Sequence, residues 1–177
     1  MTSACALTGN LESPHKWGSP MQIVRRFNHI GGGAQIPRRV ITHAIGEFVD
    51  DGTKIMWAPD LIEKLGLSVH YFITPTGTIV QQREDCLRAW HAKGNNENTI
   101  GIEWMVPGIH NWDNFLKTIK TEWVSEKQFN SGLELYKHLN KIHGIEAHQR
   151  HSDIDPQRKQ DPGKGFPWEQ LNHALGI

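Results

Sequence analysis

A polar loop near the end of the chain carries residues of the kind that bind metal ions. The segment from His151 to Gly163 is crowded with charged side chains and contains two prolines. Such a segment is often only a solvated connection, because turns and loops favour these residue types. The alternative is a rigid site loop in which the prolines fix the backbone so that His151 and Asp161 converge. Zinc accepts imidazole nitrogen and carboxylate oxygen, and a catalytic zinc site uses three protein ligands.

A third ligand has to come from elsewhere in the chain, and His43 is the candidate. It interrupts the strand predicted at Arg39–Ile45, whose other residues there are mostly apolar or small. An imidazole buried without a partner is costly, so His43 is either a metal ligand or a hydrogen-bonded core histidine. His148 is a rival ligand, since it lies close to His151 in the sequence.

Glu103 poses a similar question in a second predicted strand, Thr99–Val106. A carboxylate in such a strand is seldom fully buried unless it is paired. One interpretation places Glu103 on a solvated face. The other makes it a carboxyl group whose pKa is raised by burial, which suits proton transfer near neutral pH.

In chain order these residues resemble the zinc-dependent N-acetylmuramoyl-L-alanine amidases. That family includes phage lysozyme-like amidases, bacterial anhydro-muropeptide recycling amidases and animal peptidoglycan recognition proteins. The resemblance covers residues 38–170, and it is carried by three motifs: Arg88-Ala89-Trp90-His91-Ala92, Ile100-Gly101-Ile102-Glu103, and His-Ser-Asp-Ile followed by Lys-x-Asp-Pro-Gly between His151 and Gly163.

The resemblance implies a metal site and a reaction. His43, His151 and Asp161 match the family's ligands to one zinc ion. The implied reaction is hydrolysis of the amide bond between N-acetylmuramic acid and L-alanine in bacterial peptidoglycan or in soluble muropeptides. The implied fold is a mixed central sheet flanked by helices, with the zinc at the floor of a surface cleft.

The resemblance also assigns catalytic and substrate-binding roles. Glu103 matches the glutamate that handles the proton, and Lys159 matches a lysine that stabilises the developing oxyanion. Trp90 and His91 match a pair that lines the substrate groove. One branch of the family carries a tyrosine in the strand before the hairpin turn, where this chain has Val69, which favours the branch that uses the glutamate.

The elements that must position these residues are mixed strands and helices, so we expect an α/β (mixed α+β) fold with a mixed sheet. The predicted strands are a short one near Met21–Phe27, then Arg39–Ile45, Ser68–Thr74, Gly77–Gln82, Thr99–Val106 and Ile145–His148. The predicted helices are Ala58–Leu65, Glu126–His143 and Trp168–Leu175, and the residues from His151 to Pro167 are predicted as a loop. Ser125 and Gln128 form a capping-box pattern before the longest helix.

Length and composition predict one soluble globular domain, and the resemblance implies that it is catalytic. The 177 residues suit a single domain, with an irregular arm at residues 1–36 and the amidase domain at 37–177. Lys+Arg and Asp+Glu are both 19, and the zero net charge argues against nucleic acid as a partner. There are 11 histidines and 7 tryptophans. Those outside the motifs, including His110 and Trp112, are predicted to have packing or surface roles.

The expected setting follows from cysteines and hydropathy. Only Cys5 and Cys86 are present, fewer than disulfide-stabilised secreted proteins usually have. One bridge between them is possible, but we expect free thiols. We see no signal peptide and no stretch long enough for stable membrane insertion. We therefore expect a monomer synthesised in the cytoplasm.

Three functions are compatible with the motifs. We predict a lytic enzyme of the endolysin type, which would act on the cell wall after release. The first alternative is a cytoplasmic recycling amidase, which would act on soluble anhydro-muropeptides. A non-catalytic peptidoglycan-binding module would typically lack a zinc ligand, and here all three are present.

Overall fold

A seven-stranded mixed sheet organises residues 23–177, the part of the chain that the computed structural model describes. Its strands are β1 (Ile23–Arg25), β2 (Arg39–Asp50), β3 (Ile55–Trp57), β4 (Tyr71–Ile73), β5 (Ile79–Gln81), β6 (Thr99–His110) and β7 (Ala147–Arg150). The order across the sheet is β1-β5-β4-β6-β2-β3, and β7 pairs with the first half of β2. β2 runs parallel to β6 and β7 and antiparallel to β3, so the predicted mixed sheet is confirmed.

Five helices accompany the sheet in the described residues. They are α1 (Ala58–Lys64), α2 (Trp112–Thr118), α3 (Glu126–His143), α4 (His151–Ile154) and α5 (Trp168–Leu175). The larger core cluster joins α3 and α5 to one face of the sheet, and a smaller cluster packs residues of α1 with residues of β4, β5 and β6. The sheet is therefore flanked by helices, as predicted.

The longest helix begins and ends where its sequence predicts. The Ser125 side chain accepts a hydrogen bond from the backbone N–H of Gln128, and Gly144 ends α3 with a left-handed φ of 60°. Its buried face lies against β6, where Trp104 fills the space beside Gly132. A Cβ on Gly132 would lie only 2.1 Å from the Trp104 ring, so only glycine lets the helix approach the sheet this closely.

The two central strands are longer than their patterns predict. β2 continues past Ile45 to Asp50, and β6 continues through Pro107 to His110. The register between them shifts after Gly46. Beyond Trp104, β6 no longer pairs with β4, so the missing N–H of Pro107 falls where one edge of the strand is free. Proline is tolerated in strands at such edges.

Several predicted boundaries are wrong. The loop predicted from His151 to Pro167 begins with the short helix α4, and β3 and α2 were not predicted at all. The strand expected at Ile145–His148 lies at Ala147–Arg150. In the predicted arm, the strand near Met21–Phe27 appears as β1, which pairs with β5.

Two predictions concern the cysteines and the membrane. The prediction of free thiols is wrong for Cys86, which is in a disulfide. Cys5 lies outside the described residues. Between residues 23 and 177, no helix has both the length and the apolar character needed to cross a bilayer.

Candidate metal centre and cleft

The sheet brings the three predicted metal ligands together. His43 lies in the middle of β2, and Arg150 at the end of β7 is paired with Thr42 beside it. The chain leaves β7 directly into α4, which places His151 next to His43. The backbone N–H of Ser152 then donates to the carbonyl of Asp161 at 3.0 Å, so the two ends of the polar loop are held side by side.

The three side chains offer one ligand atom each to a common point. The Nδ1 atoms of His43 and His151 are 2.8 Å apart, and Oδ2 of Asp161 lies 2.9 Å from His151 Nδ1 and 3.4 Å from His43 Nδ1. Ligands of a tetrahedral zinc ion lie about 3.3 Å from one another at the usual bond lengths. The observed triangle has nearly that size, so this donor set fits zinc.

The electrostatics also suit a metal ion. Burial lowers the pKa of His43 to about 4, although Asp161 acts in the opposite sense. Burial tends to raise the pKa of Asp161, but hydrogen bonds and charge from His151 and His43 outweigh it and hold that pKa below its usual range. At neutral pH the site therefore presents a neutral imidazole and an ionised carboxylate, the forms in which these groups bind metals.

Glu103 lies opposite His43 in the register of β6 against β2. Its side chain is buried, with 7% exposure, and Oε2 has no hydrogen-bond partner among residues 23–177. Burial and then the charge of Asp161 raise the pKa of Glu103 well above its usual range, and Lys159 offsets part of that rise. Of the two interpretations of Glu103, the structure therefore agrees with the buried carboxyl.

Trp90 and His91 both line the cleft above the cluster. The Trp90 side chain is 45% exposed and can contact a bound molecule. His91 is half-buried, its Nδ1 lies 2.9 Å from His43 Nε2, and burial lowers the pKa of His91 well below its usual range. His91 is therefore a direct neighbour of a predicted metal ligand.

The cleft has a volume of about 710 Å³, and Glu103, Lys159 and the three ligand candidates contribute to its lining. Trp112 at the start of α2 also lines it and is 65% exposed. The indole of Trp112 stacks on Phe115, with ring centroids 6.1 Å apart. This stacking agrees with the surface packing role predicted for Trp112. Its place in the cleft lining was not predicted, and only its position directly after the helix cap Asn111 could have drawn attention to it.

Other candidates lie away from the cluster. The rival ligand His148 bonds through Nε2 to Asn140 Oδ1 at 2.9 Å and stacks on Tyr136. Tyr71 donates to Asp85 Oδ1 at 2.7 Å, whereas Val69 lines the cleft. This arrangement agrees with Val69, rather than Tyr71, occupying the position of the tyrosine in the other branch of the family.

Comparison with known proteins identifies the same family of amidases that the motifs resemble. The family model described as N-acetylmuramoyl-L-alanine amidase (Amidase_2) matches residues 33–164, whereas no curated protein sequence matches the chain. Among solved structures, the endolysin amidase LysCS from Clostridium intestinale URNW superposes with a TM-score of 0.67 and 24% identity, covering 88% of this chain and 96% of that one. A selenomethionine derivative of AmpD gives 0.64 and 23%, covering 89% and 96%, and Drosophila peptidoglycan recognition protein SD gives 0.55 and 20%, covering 82% and 85%.

The fold and the cleft define a mixed α/β protein of the peptidoglycan amidase class, as the motifs predict. The chain belongs to the N-acetylmuramoyl-L-alanine amidase family. Its activity is hydrolysis of the amide bond that joins N-acetylmuramic acid to L-alanine in peptidoglycan.

Proposed function

We propose that this protein is a zinc-dependent lytic amidase of the endolysin type, with one zinc ion held by His43, His151 and Asp161. The observation that carries the proposal is the convergence of three ligand atoms, each within 3.4 Å of the next, on the floor of an open cleft. A zinc ion bound there would acidify water and polarise the carbonyl of the scissile amide. The remaining chemistry belongs to side chains of this chain.

In the proposed mechanism Glu103 moves the proton. Its carboxylate accepts a proton from the water whose oxygen attacks the amide carbonyl carbon, and then delivers that proton to the leaving nitrogen. The carbon–nitrogen bond breaks, and the products are the carboxylic acid of the lactyl group, which keeps the second proton of the water, and the free amine of L-alanine. A pKa raised by burial and by Asp161 suits this exchange near neutral pH.

Lys159 stabilises the negative charge that develops on the carbonyl oxygen. It lines the same cleft as Glu103, and its charge acts on both Glu103 and His43. An amide is a poor electrophile, so charge stabilisation of this kind is expected to be a large part of catalysis. Trp90 and Trp112 would form apolar walls for the substrate, since both are exposed in the cleft.

Zinc dependence is tested on protein purified without added metal. Elemental analysis should give one zinc per chain, and a strong chelator should abolish hydrolysis of peptidoglycan. Mass spectrometry of the digest should show new amino termini on L-alanine and intact glycan strands. A metal-free enzyme with full activity would contradict the zinc site, and cleaved glycan or peptide bonds would contradict the bond assignment.

The lytic role is distinguished from recycling by substrate. We expect intact sacculi to be solubilised at a rate comparable to that for soluble anhydro-muropeptides, because the cleft is open and lined by exposed aromatic rings. Turnover of soluble muropeptides alone would favour the recycling amidase. We further propose synthesis in the cytoplasm and action on the wall after release. Cells that express the protein should therefore lyse only when their membrane is permeabilised.

A further inference from the structure

A series of hydrogen bonds leads from His43 away from the other two metal ligands. His43 Nε2 lies 2.9 Å from His91 Nδ1, and His91 Nε2 lies 3.1 Å from Thr99 Oγ1. The hydroxyl of Thr99 donates in turn to the backbone carbonyl of Asn95 at 3.1 Å. Three bonds in series therefore connect the metal site to a backbone carbonyl oxygen.

The Asn95 carbonyl at the end of this hydrogen-bond series determines which atom donates in each bond. A carbonyl oxygen can only accept, so the single hydroxyl hydrogen of Thr99 points to Asn95. Thr99 Oγ1 must then accept from His91 Nε2–H. A neutral imidazole has one donor nitrogen and one acceptor nitrogen, so His91 Nδ1 accepts from His43 Nε2–H. The Nδ1 of His43 is left with its lone pair directed toward His151 and Asp161.

We propose that His91 is a positioning residue that fixes the tautomer and the ring orientation of His43 so that Nδ1 is ready to bind the metal. The inference rests on the zinc site of the proposed function and goes beyond it in assigning the role of His91. It also differs from a role in substrate binding, because both ring nitrogens of His91 are already used by His43 and Thr99.

The fold holds His91 closely in this place. Its backbone N–H donates to Asn96 Oδ1 at 3.0 Å, and its ring packs on the backbone of Gly101 in β6. A Cβ on residue 101 would lie 2.5 Å from His91 Cγ and 2.6 Å from its Nδ1. Glycine at position 101 therefore provides the space that the His91 ring occupies beside His43.

Zinc affinity of the purified metal-free protein tests the proposal, measured by competition with a chromophoric chelator. His91→Phe keeps a flat ring but removes the acceptor, and loss of such a partner typically weakens metal binding by about 10- to 100-fold. His91→Asn can place an amide oxygen near the position of Nδ1 and should recover most of that affinity. Thr99→Val removes only the hydroxyl and should weaken binding by a smaller factor.

Two further measurements separate positioning from other roles. At saturating zinc, His91→Phe should keep the wild-type KM, and thermal unfolding of the metal-free forms should show that the variants are folded. His173→Phe, on the exposed side of α5, is the matched control and should bind zinc like the wild type. If His91→Phe does not fold, Thr99→Val provides the same test.

The outcomes that overturn the proposal are distinct from failure of the zinc site. Wild-type zinc affinity in a folded His91→Phe, or in Thr99→Val if His91→Phe does not fold, refutes the positioning role. A raised KM in His91→Phe at full zinc loading, with unchanged affinity, would assign His91 to the substrate groove instead. Absence of zinc binding by the wild-type protein would refute the proposed function itself.

Discussion

Replacing Glu103 with glutamine is the sharpest test of the mechanism. Gln has nearly the same shape but cannot exchange a proton, and Oε2 of Glu103 has no hydrogen-bond partner in residues 23–177 that the change would orphan. Glu103 also lies outside the three-residue ligand group. We therefore expect Glu103→Gln to fold and to bind zinc with full stoichiometry.

The expected loss is in turnover. General acid–base catalysis contributes typically about 10²- to 10⁴-fold, which corresponds to about 2.7–5.4 kcal/mol in the activation free energy at 1.36 kcal/mol per factor of ten. The assay is release of soluble fragments from sacculi at saturating substrate, with zinc content measured on the same samples. Glu97→Gln is a suitable control, because Glu97 is exposed in the loop before β6.

The same variant should change how stability depends on pH in the metal-free protein. Because the pKa of Glu103 is raised in the folded state, the folded protein binds more protons than the unfolded chain above the unfolded pKa of about 4.5. The stability that Glu103 contributes is then complete below that pH and is lost as pH rises through the folded pKa. Glu103→Gln removes this loss, so its stability relative to the wild type should increase with pH.

Denaturant unfolding at several pH values, compared between Glu103→Gln and the wild type, measures this difference. Full zinc content with wild-type turnover would refute the catalytic role of Glu103. A difference in stability that does not change with pH would refute the raised pKa of the buried Glu103 carboxyl, from which that role is argued.

The remaining predictions concern the ligands, the oxyanion and the cleft wall. His151→Ala should lose zinc and activity, whereas His148→Ala should keep both, because the bond of His148 to Asn140 lies away from the cluster. Metal analysis and an activity assay on both variants check this, and the reverse pattern would show that the ligand was misassigned. Lys159→Ala should keep zinc but lose about two to three orders of magnitude in kcat, as removal of an oxyanion stabiliser does, and a wild-type kcat would refute its role. Trp112→Ala should raise KM for sacculi and leave the melting temperature nearly unchanged, because the side chain is 65% exposed. Steady-state kinetics measure the KM and thermal unfolding the melting temperature. An unchanged KM would show that Trp112 does not contact the substrate.

Much of the local structure could be predicted from the sequence. The cap at Ser125, the apolar stripe and the stop at Gly144 predict α3 with its observed bounds, because all three signals act within a few residues of the chain. The motif that contains His151 and Asp161, together with the histidine in the first long strand, identified residues that the fold does bring together. These identifications needed no knowledge of the sheet, since the residue types and their order carry the family pattern.

The extent of the central strands depended on their neighbours. Pro107 and Gly108 read as a strand end, yet β6 continues to His110 because β2 pairs with it on one side while the other side is free. Helix α2 follows at once, capped by Asn111, whose side chain accepts from the N–H of Asn114. Local propensity could not predict these features, because pairing between strands distant in sequence outweighs it.

The sequence by itself determined the family, the three residues with metal-binding chemistry and the most regular helix. Only the tertiary structure decided that Trp112 lines the cleft and that His91 uses both ring nitrogens, one for His43 and one for Thr99. The physical reason is that residue types state what a side chain can bind. Which partner it meets is set by the pairing of β2 with β6 and β7, which brings residues 43, 103 and 151 to one place from distant parts of the chain.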